Sequence, residues 1–218
     1  MNRIFKFLVA VLCVCICGCC SVKEDRSRCP VDLAVDFASC RDYGRNIIVT
    51  ALGDGLLFRH YYYPDCSAVS AVYEVPRGIL TICAAALDSD CPDWPDFSVS
   101  VGSEFDSLYA TSSSIRIMDD RMSHTVRLHK QFANICIDMS EMTPSGRKYD
   151  LKVKGDACGV NLVSLEPLKG EFRVMIQQSD PVVNVLVPRQ FDASLVLEVY
   201  DEGKLGGTYP IGEYLMEA

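Results

Sequence analysis

The sequence predicts an all-β fold of antiparallel β-sandwiches, and three observations carry that reading. Val31, Leu33, Val35 and Phe37 alternate with Asp32, Ala34 and Asp36, and Tyr149, Leu151 and Val153 with Lys148, Asp150, Lys152 and Lys154. Phe172, Val174 and Ile176 repeat the pattern, as do Leu195, Leu197 and Val199. A period of two sends one set of side chains inward and the other to water, the mark of a half-buried antiparallel strand. Turn chemistry falls at short intervals, as Gly53-Asp54-Gly55, Pro76-Arg77-Gly78, Pro144-Ser145-Gly146 and the run Gly203 to Gly207. Many short strands spaced in this way indicate a sandwich or barrel. No segment shows convincing helical periodicity, and Gly102–Thr111 offers at most a short turn of helix.

Further strands are expected at Asn46–Leu52, Leu56–Tyr63, Ala71–Val75, Ile79–Ala85, His124–His129, Asn134–Met139, Val182–Val187 and Thr208–Tyr214. Strand candidates thin out between Asp88 and Ile115, which reads as a loop-like insertion. A closing strand at His124–His129, followed by a fresh series after Lys130-Gln131-Phe132, places a boundary near residue 130. Two sandwiches, 29–130 and 131–218, fit better than one. No Pro/Gly/Ser linker separates them, so close packing of the halves is expected.

The amino terminus stands apart from the fold. Arg3 and Lys6 form a basic start, and Phe7–Cys17 is an apolar run well short of the roughly 20 residues that span a membrane. Its length and flanks fit a signal peptide over residues 1–18. Gly18 directly before Cys19 is a small residue in the position that lipoprotein signal peptidase requires, so Cys19 is the expected lipidation site. Acyl chains contribute ~0.8 kcal/mol per buried methylene, and three of them anchor a protein durably. Residues 19–28, polar and charged, read as a tether between lipid and fold. Loss of Arg3 and Lys6 takes the formal charge from −8 to −10. A surface this acidic excludes nucleic acid as a partner, since phosphates require a basic footprint. It also leaves membrane attachment to the lipid.

Of the twelve cysteines, Cys13, Cys15 and Cys17 leave with the signal and Cys19 takes the lipid. Cys20, Cys29, Cys40, Cys66, Cys83, Cys91, Cys136 and Cys158 remain, in an oxidising compartment that permits disulfides. The pairing is not readable from sequence, and Cys83, inside an apolar stretch, is equally a packing residue. No C-x-x-C pair points to zinc. There is no G-x-S-x-G elbow, P-loop, H-E-x-x-H or dinucleotide fingerprint, so catalytic and cofactor-binding residues are expected to be none. His124 and His129, five apart on one expected strand, face opposite ways and share no metal, and His60 stands alone. The acidic loop Asp88–Asp96 lacks the glycine and glutamate of a calcium hand and reads as a solvated loop. Tyr61-Tyr62-Tyr63 could stack on sugar rings, although consecutive strand residues alternate faces, and packing is the favoured role. Lys23-Glu24-Asp25, just behind the lipid, reads either as a surface-export signal of Bacteroidetes lipoproteins or as a charged tether.

In series these pieces resemble the FimB/Mfa family of fimbrial anchor lipoproteins. The resemblance rests on Cys19 with Ser21–Ser27, Cys29-Pro30, Val75-Pro76-Arg77-Gly78, Leu108-Tyr109, Val126–Ala133, Gly170-Glu171-Phe172 and Pro210–Tyr214. It implies two tandem transthyretin-like β-sandwiches and a place at the base of a type V fimbria, on the outer membrane. Its implied partners are fimbrial shaft or accessory subunits, joined by strand exchange: a segment of one subunit completes the open sheet of another. It brings no catalytic residue. Family members usually continue past the match to Pro210–Tyr214, so the second sandwich is expected to be short of terminal strands. The competing reading is a surface module that captures glycan or a host protein on its loops.

Overall fold

The computed structural model describes residues 29–63, 69–88, 94–141, 148–178 and 180–216. Cys19, the tether, Cys20, Cys66 and Cys91 lie outside them. Its regular secondary structure is almost all strand, as the alternating hydropathy predicts.

The first sheet is centred on β1 (Val31–Asp36), which pairs antiparallel with β4 (Ser70–Val75) and parallel with β8 (Arg121–Thr125). Between β1 and Asn46 a 3-10 turn spans Ala38–Tyr43 and closes on Gly44 at φ 62°, a left-handed position that glycine adopts without steric cost. The second sheet runs β3 (Leu56–Tyr62), β2 (Asn46–Leu52), β5 (Gly78–Leu87), β7 (Tyr109–Ile117) and β9 (His129–Lys130). Val31, Leu33, Val35, Tyr73 and Val75 of the first sheet meet Ile47, Val49, Leu80, Ile82 and Ala84 of the second in one hydrophobic cluster.

The third sheet is β10 (Phe132–Asp138) with β13 (Val182–Pro188). The fourth runs β12 (Pro167–Gln177), β11 (Asp150–Asn161), β14 (Val196–Asp201) and β15 (Lys204–Tyr209). A short helix, α1 (Gly212–Met216), follows. A second cluster fills the space between these sheets, with Leu151, Val153, Phe172, Val174, Leu197 and Val199 facing Ile137, Val183, Val185 and Val187. Ile48, Ala85, Leu87 and Ala110, on the back of the second sheet, join this cluster. That sheet is therefore buried on both faces at one end, which explains why β5 reads as a nearly unbroken apolar run rather than an alternation.

Three expectations are corrected. The stretch from Asp88 to Ile115 is not simply a loop: it holds β6 (Asp96–Ser98), and Tyr109–Ile117 pairs with β5 along nine residues as a central strand. Its Ser112-Ser113-Ser114 core has little hydropathy, and its strand character comes from pairing with β5. Strand β6 adds to β11, with Phe97 opposite Val160. Gly159 makes that approach feasible, since a Cβ there would lie 2.1 Å from the Phe97 carbonyl oxygen. Secondly, His124 and His129 do not share a strand. The chain leaves β8, buries Val126 and Leu128 in the first cluster, and enters a different sheet at β9. Thirdly, the last strand is not Thr208–Tyr214. It starts at Lys204, after a tight turn whose Glu202 and Gly203 have φ 48° and 77°, the pair of positive values a type I′ hairpin needs. It ends at Tyr209, and Gly212 opens α1 with its N–H donating to the Leu195 carbonyl.

Candidate functional site

Sheet edges are the sites this fold offers, because an unpaired edge presents N–H and C=O groups to any extended chain. Three edge ladders are irregular, whereas β4 and β8 pair with β1 without a register shift. The β14–β15 ladder shifts register at Val199/Tyr200 and carries Gly206 and Gly207. The β11–β12 ladder shifts twice, between Gly155 and Gly159. The β2–β3 ladder shifts at Ala51/Leu52, and β3 carries Arg59 and His60.

Strand β10 differs. Its seven residues pair with β13 without a register shift, and Asp138 is its one charged residue. The other side of β13 is covered: the Leu186 N–H donates to Glu104 Oε1 at 2.9 Å, and its carbonyl accepts the Phe105 N–H at 3.3 Å. Leu186 thus turns its backbone away from Asn134, its partner on β10, which makes the two a non-hydrogen-bonded pair. Alternation then points the N–H and C=O groups of Phe132, Asn134, Cys136 and Asp138 outward, away from β13. Pro188 opposite Phe132, with no N–H to give, fits that phase. Among the described residues no strand pairs with this side of β10.

A cavity of about 380 Å³ lies at the start of β10, lined by Lys130, Phe132, Ala133, Pro188, Arg189, Gln190 and Leu215. The Lys130 ammonium sits 4.6 Å from the Phe132 ring centre. Neither Lys130 nor Arg189 has an ionic partner among the described residues. Next to Lys130, Gln131 is buried at the crossing between the two clusters, with its N–H bonded to the Leu108 carbonyl and its carbonyl to the Arg189 N–H.

The other candidate residues separate into packing and solvent roles. Tyr62 turns into the first cluster, where its ring lies 4.4 Å from that of Phe37 and its hydroxyl meets that of Tyr73. Phe58 stacks on Tyr73 at 3.8 Å. Burial, and the hydrogen bond to Tyr62, push the Tyr73 phenol well above its ordinary range. Tyr61 and Tyr63 are exposed. No flat platform of three tyrosines forms, because the strand alternates. Trp94 lies 4.8 Å under the Arg59 guanidinium and packs on the second cluster. Of the acidic loop, residues 89–93 lie outside the described residues. Among the described residues no group of three His, Cys, Asp or Glu is placed to hold a metal.

Cys29, Cys40, Cys83, Cys136 and Cys158 are free thiols. Cys83 is a packing residue, its sulfur 3.6 Å from the Ser112 hydroxyl. Burial pushes the Cys40 thiol up to about 11, so it remains protonated and unreactive. Arg77, in the turn between β4 and β5, binds the Met118 carbonyl and Asp120, tying two turns of the first cluster together. The most organised polar group is on the outer face of the fourth sheet. Glu198, largely buried, accepts from Lys154, from the Tyr200 hydroxyl at 2.9 Å and from Lys152 at 3.2 Å. These partners, Lys154 first, hold its carboxyl down at about 2. The group is self-satisfied and leaves no free acid or base. His124 is half-buried with Nε2 unpartnered, and burial lowers its pKa.

No helix among the described residues is long and apolar enough to cross a membrane. No family model matches the chain, and no curated protein matches its sequence. Solved structures do match its fold. The fimbrial anchor protein Mfa2 from Porphyromonas gingivalis aligns with a TM-score of 0.58 at 11% identity, over 86% of this chain and 84% of that one. A candidate adhesin from Bacteroides thetaiotaomicron gives 0.58 at 11% identity, over 88% and 84%. One from Bacteroides ovatus gives 0.53 at 11% identity, over 89% and 86%. At this identity the likeness is one of fold, and it extends along most of each chain.

Proposed function

We propose that the protein is a structural surface lipoprotein of the FimB/Mfa kind, which anchors or caps a fimbria through strand-mediated contacts. The observation that carries the reading is the near full-length match of fold to a fimbrial anchor protein, joined to the Gly18-Cys19 processing motif. On this reading residues 1–18 are removed, Cys19 is acylated in the outer membrane, and 19–28 tether the fold. The sheets then form two tandem transthyretin-like sandwiches, divided near residue 130, one around each hydrophobic cluster. Backbone hydrogen bonds along an open edge give affinity, and alternate side-chain pockets give register. Catalysis has no place in this account.

Replacing Cys19 tests it in the native host. Cys19→Ala should release the protein, and assembled fimbriae with it, into the medium. Fimbriae still held at the membrane in that strain would defeat the reading. The glycan- or host-binding alternative is favoured by the exposed Tyr61 and Tyr63, and a glycan array decides it. Binding that disappears on changing Tyr61 or Tyr63 would support that alternative.

A further inference from the structure

We infer that the open side of β10 is a docking edge for an extended, apolar-alternating segment of a fimbrial partner whose end carries acidic groups. The inference rests on the strand-mediated reading above and names the edge and the chemistry of what binds it.

Three independent features converge there. First, phase: Phe132, Asn134, Cys136 and Asp138 direct backbone donors and acceptors outward along a ladder with no bulge. Second, protection: native edges are usually guarded by lysine, proline, bulges or inward charge, and β10 has none of these before Asp138 at its far end. The comparable edge of β13 is closed by the Glu104-Phe105 segment, so the fold covers one side of this two-stranded sheet, and no strand among the described residues pairs with the other. Third, charge: an acidic chain places Lys130 and Arg189, without ionic partners among the described residues, around a cavity of mixed polar and apolar lining where β10 begins. Phe132, Pro188 and Leu215 supply apolar walls there. A segment that lies along β10 and ends at this cavity meets two cations, so a carboxylate at that end gains charge-assisted hydrogen bonds. A lysine at the same place meets like charge. Specificity therefore combines attraction for an acidic end with repulsion of a basic one.

The test uses the purified full-length protein and two synthetic peptides on the order of ten residues, each alternating valine and threonine. One ends in two glutamates and the other in two lysines. Fluorescence anisotropy should show the acidic peptide binding at least about tenfold more tightly at low salt, with the gap narrowing as salt rises. Lys130→Glu with Arg189→Glu should reverse the preference. Cys136→Pro removes an outward N–H while sparing the bonds to β13, and it should abolish binding of both peptides. Cys136→Lys places a guard on the edge and should do the same if the proline variant fails to fold. Equal affinity for the two peptides, no binding of the acidic one, or binding retained by Cys136→Lys would overturn the inference. Release of fimbriae by Cys19→Ala is read separately, so failure of the edge and failure of the anchoring role are distinguishable.

Discussion

Phe105→Ala probes whether the stretch from Asp88 to Ile115 belongs to the core. Phe105 is 2% exposed and sits in the second cluster, edge-on to Phe97 with ring centres 5.7 Å apart at 84°. Truncation of a buried phenylalanine costs about 3–5 kcal/mol, from lost transfer energy and the cavity left behind. The edge-to-face partner and the Phe105 N–H bond to Leu186 leave little freedom for collapse, so the upper part of that range is expected. For a chain of this size each kcal/mol shifts Tm by roughly 2–4 °C, so about 4–5 kcal/mol gives a fall of roughly 8–20 °C. Val101→Ala, in the same stretch but 45% exposed, serves as the control and should stay within about 0.5 kcal/mol. Denaturant unfolding can be followed by far-UV circular dichroism and by the fluorescence of Trp94, the chain's one tryptophan. Both probes should move together. A loss below about 1 kcal/mol for Phe105→Ala, or an early Trp94 transition in the wild type, would refute the integration of this stretch.

Four further outcomes follow from named contacts. Leu151→Asp buries an unpaired charge at a fully buried position and should destabilise by several kcal/mol, on the order of 4 or more, in thermal melts. Lys152→Asp, one residue on, should exceed the roughly 0.5 kcal/mol of an ordinary surface change, because it sets a second carboxylate beside Glu198. Glu198 is held at about 2 by Lys154, Tyr200 and Lys152, so its contribution is complete above its ordinary value of 4.5 and is lost as pH falls toward 2. Glu198→Gln should flatten stability over that window, and an unchanged acid limb would count against the network. Burial depresses His124, so the unfolded chain binds the proton more readily and stability declines as pH drops below 6.5. His124→Leu should remove that slope in melts between pH 7 and 5.

The fold class was legible because alternation in β1, β11, β12 and β14 reflects burial on one face, which a single sequence displays directly. Strand β2 was readable to the residue at Asn46–Leu52. Strand β7 was not, because Ser112-Ser113-Ser114 lacks hydropathy and gains its place from pairing with β5, a contact between distant residues. Strand β6 was hidden for the same reason, its three residues held by β11 and by the absence of a side chain at Gly159. The error over His124 and His129 has another cause. Val126 and Leu128 have strand-like phase on either side of Arg127, yet the chain there crosses from one sheet to another, and local periodicity does not register a change of sheet. At the last strand, Gly206 and Gly207 looked like turn residues, whereas the positive φ values fall at Glu202 and Gly203. Of the site, the Gly18-Cys19 motif is a local sequence signal, and it lies outside the described residues. The open edge is not a local signal, since phase along β10 depends on which side of β13 Glu104 and Phe105 occupy.

In the proposed role the protein works by holding other subunits at the cell surface. Capture of the protein from the membranes of its native host, with mass-spectrometric identification of what accompanies it, tests that most directly. Fimbrial shaft or accessory subunits should co-purify in constant ratio and vanish from the membrane fraction in the Cys19→Ala strain. Recovery of the protein without any such subunit from membranes that carry fimbriae would contradict it.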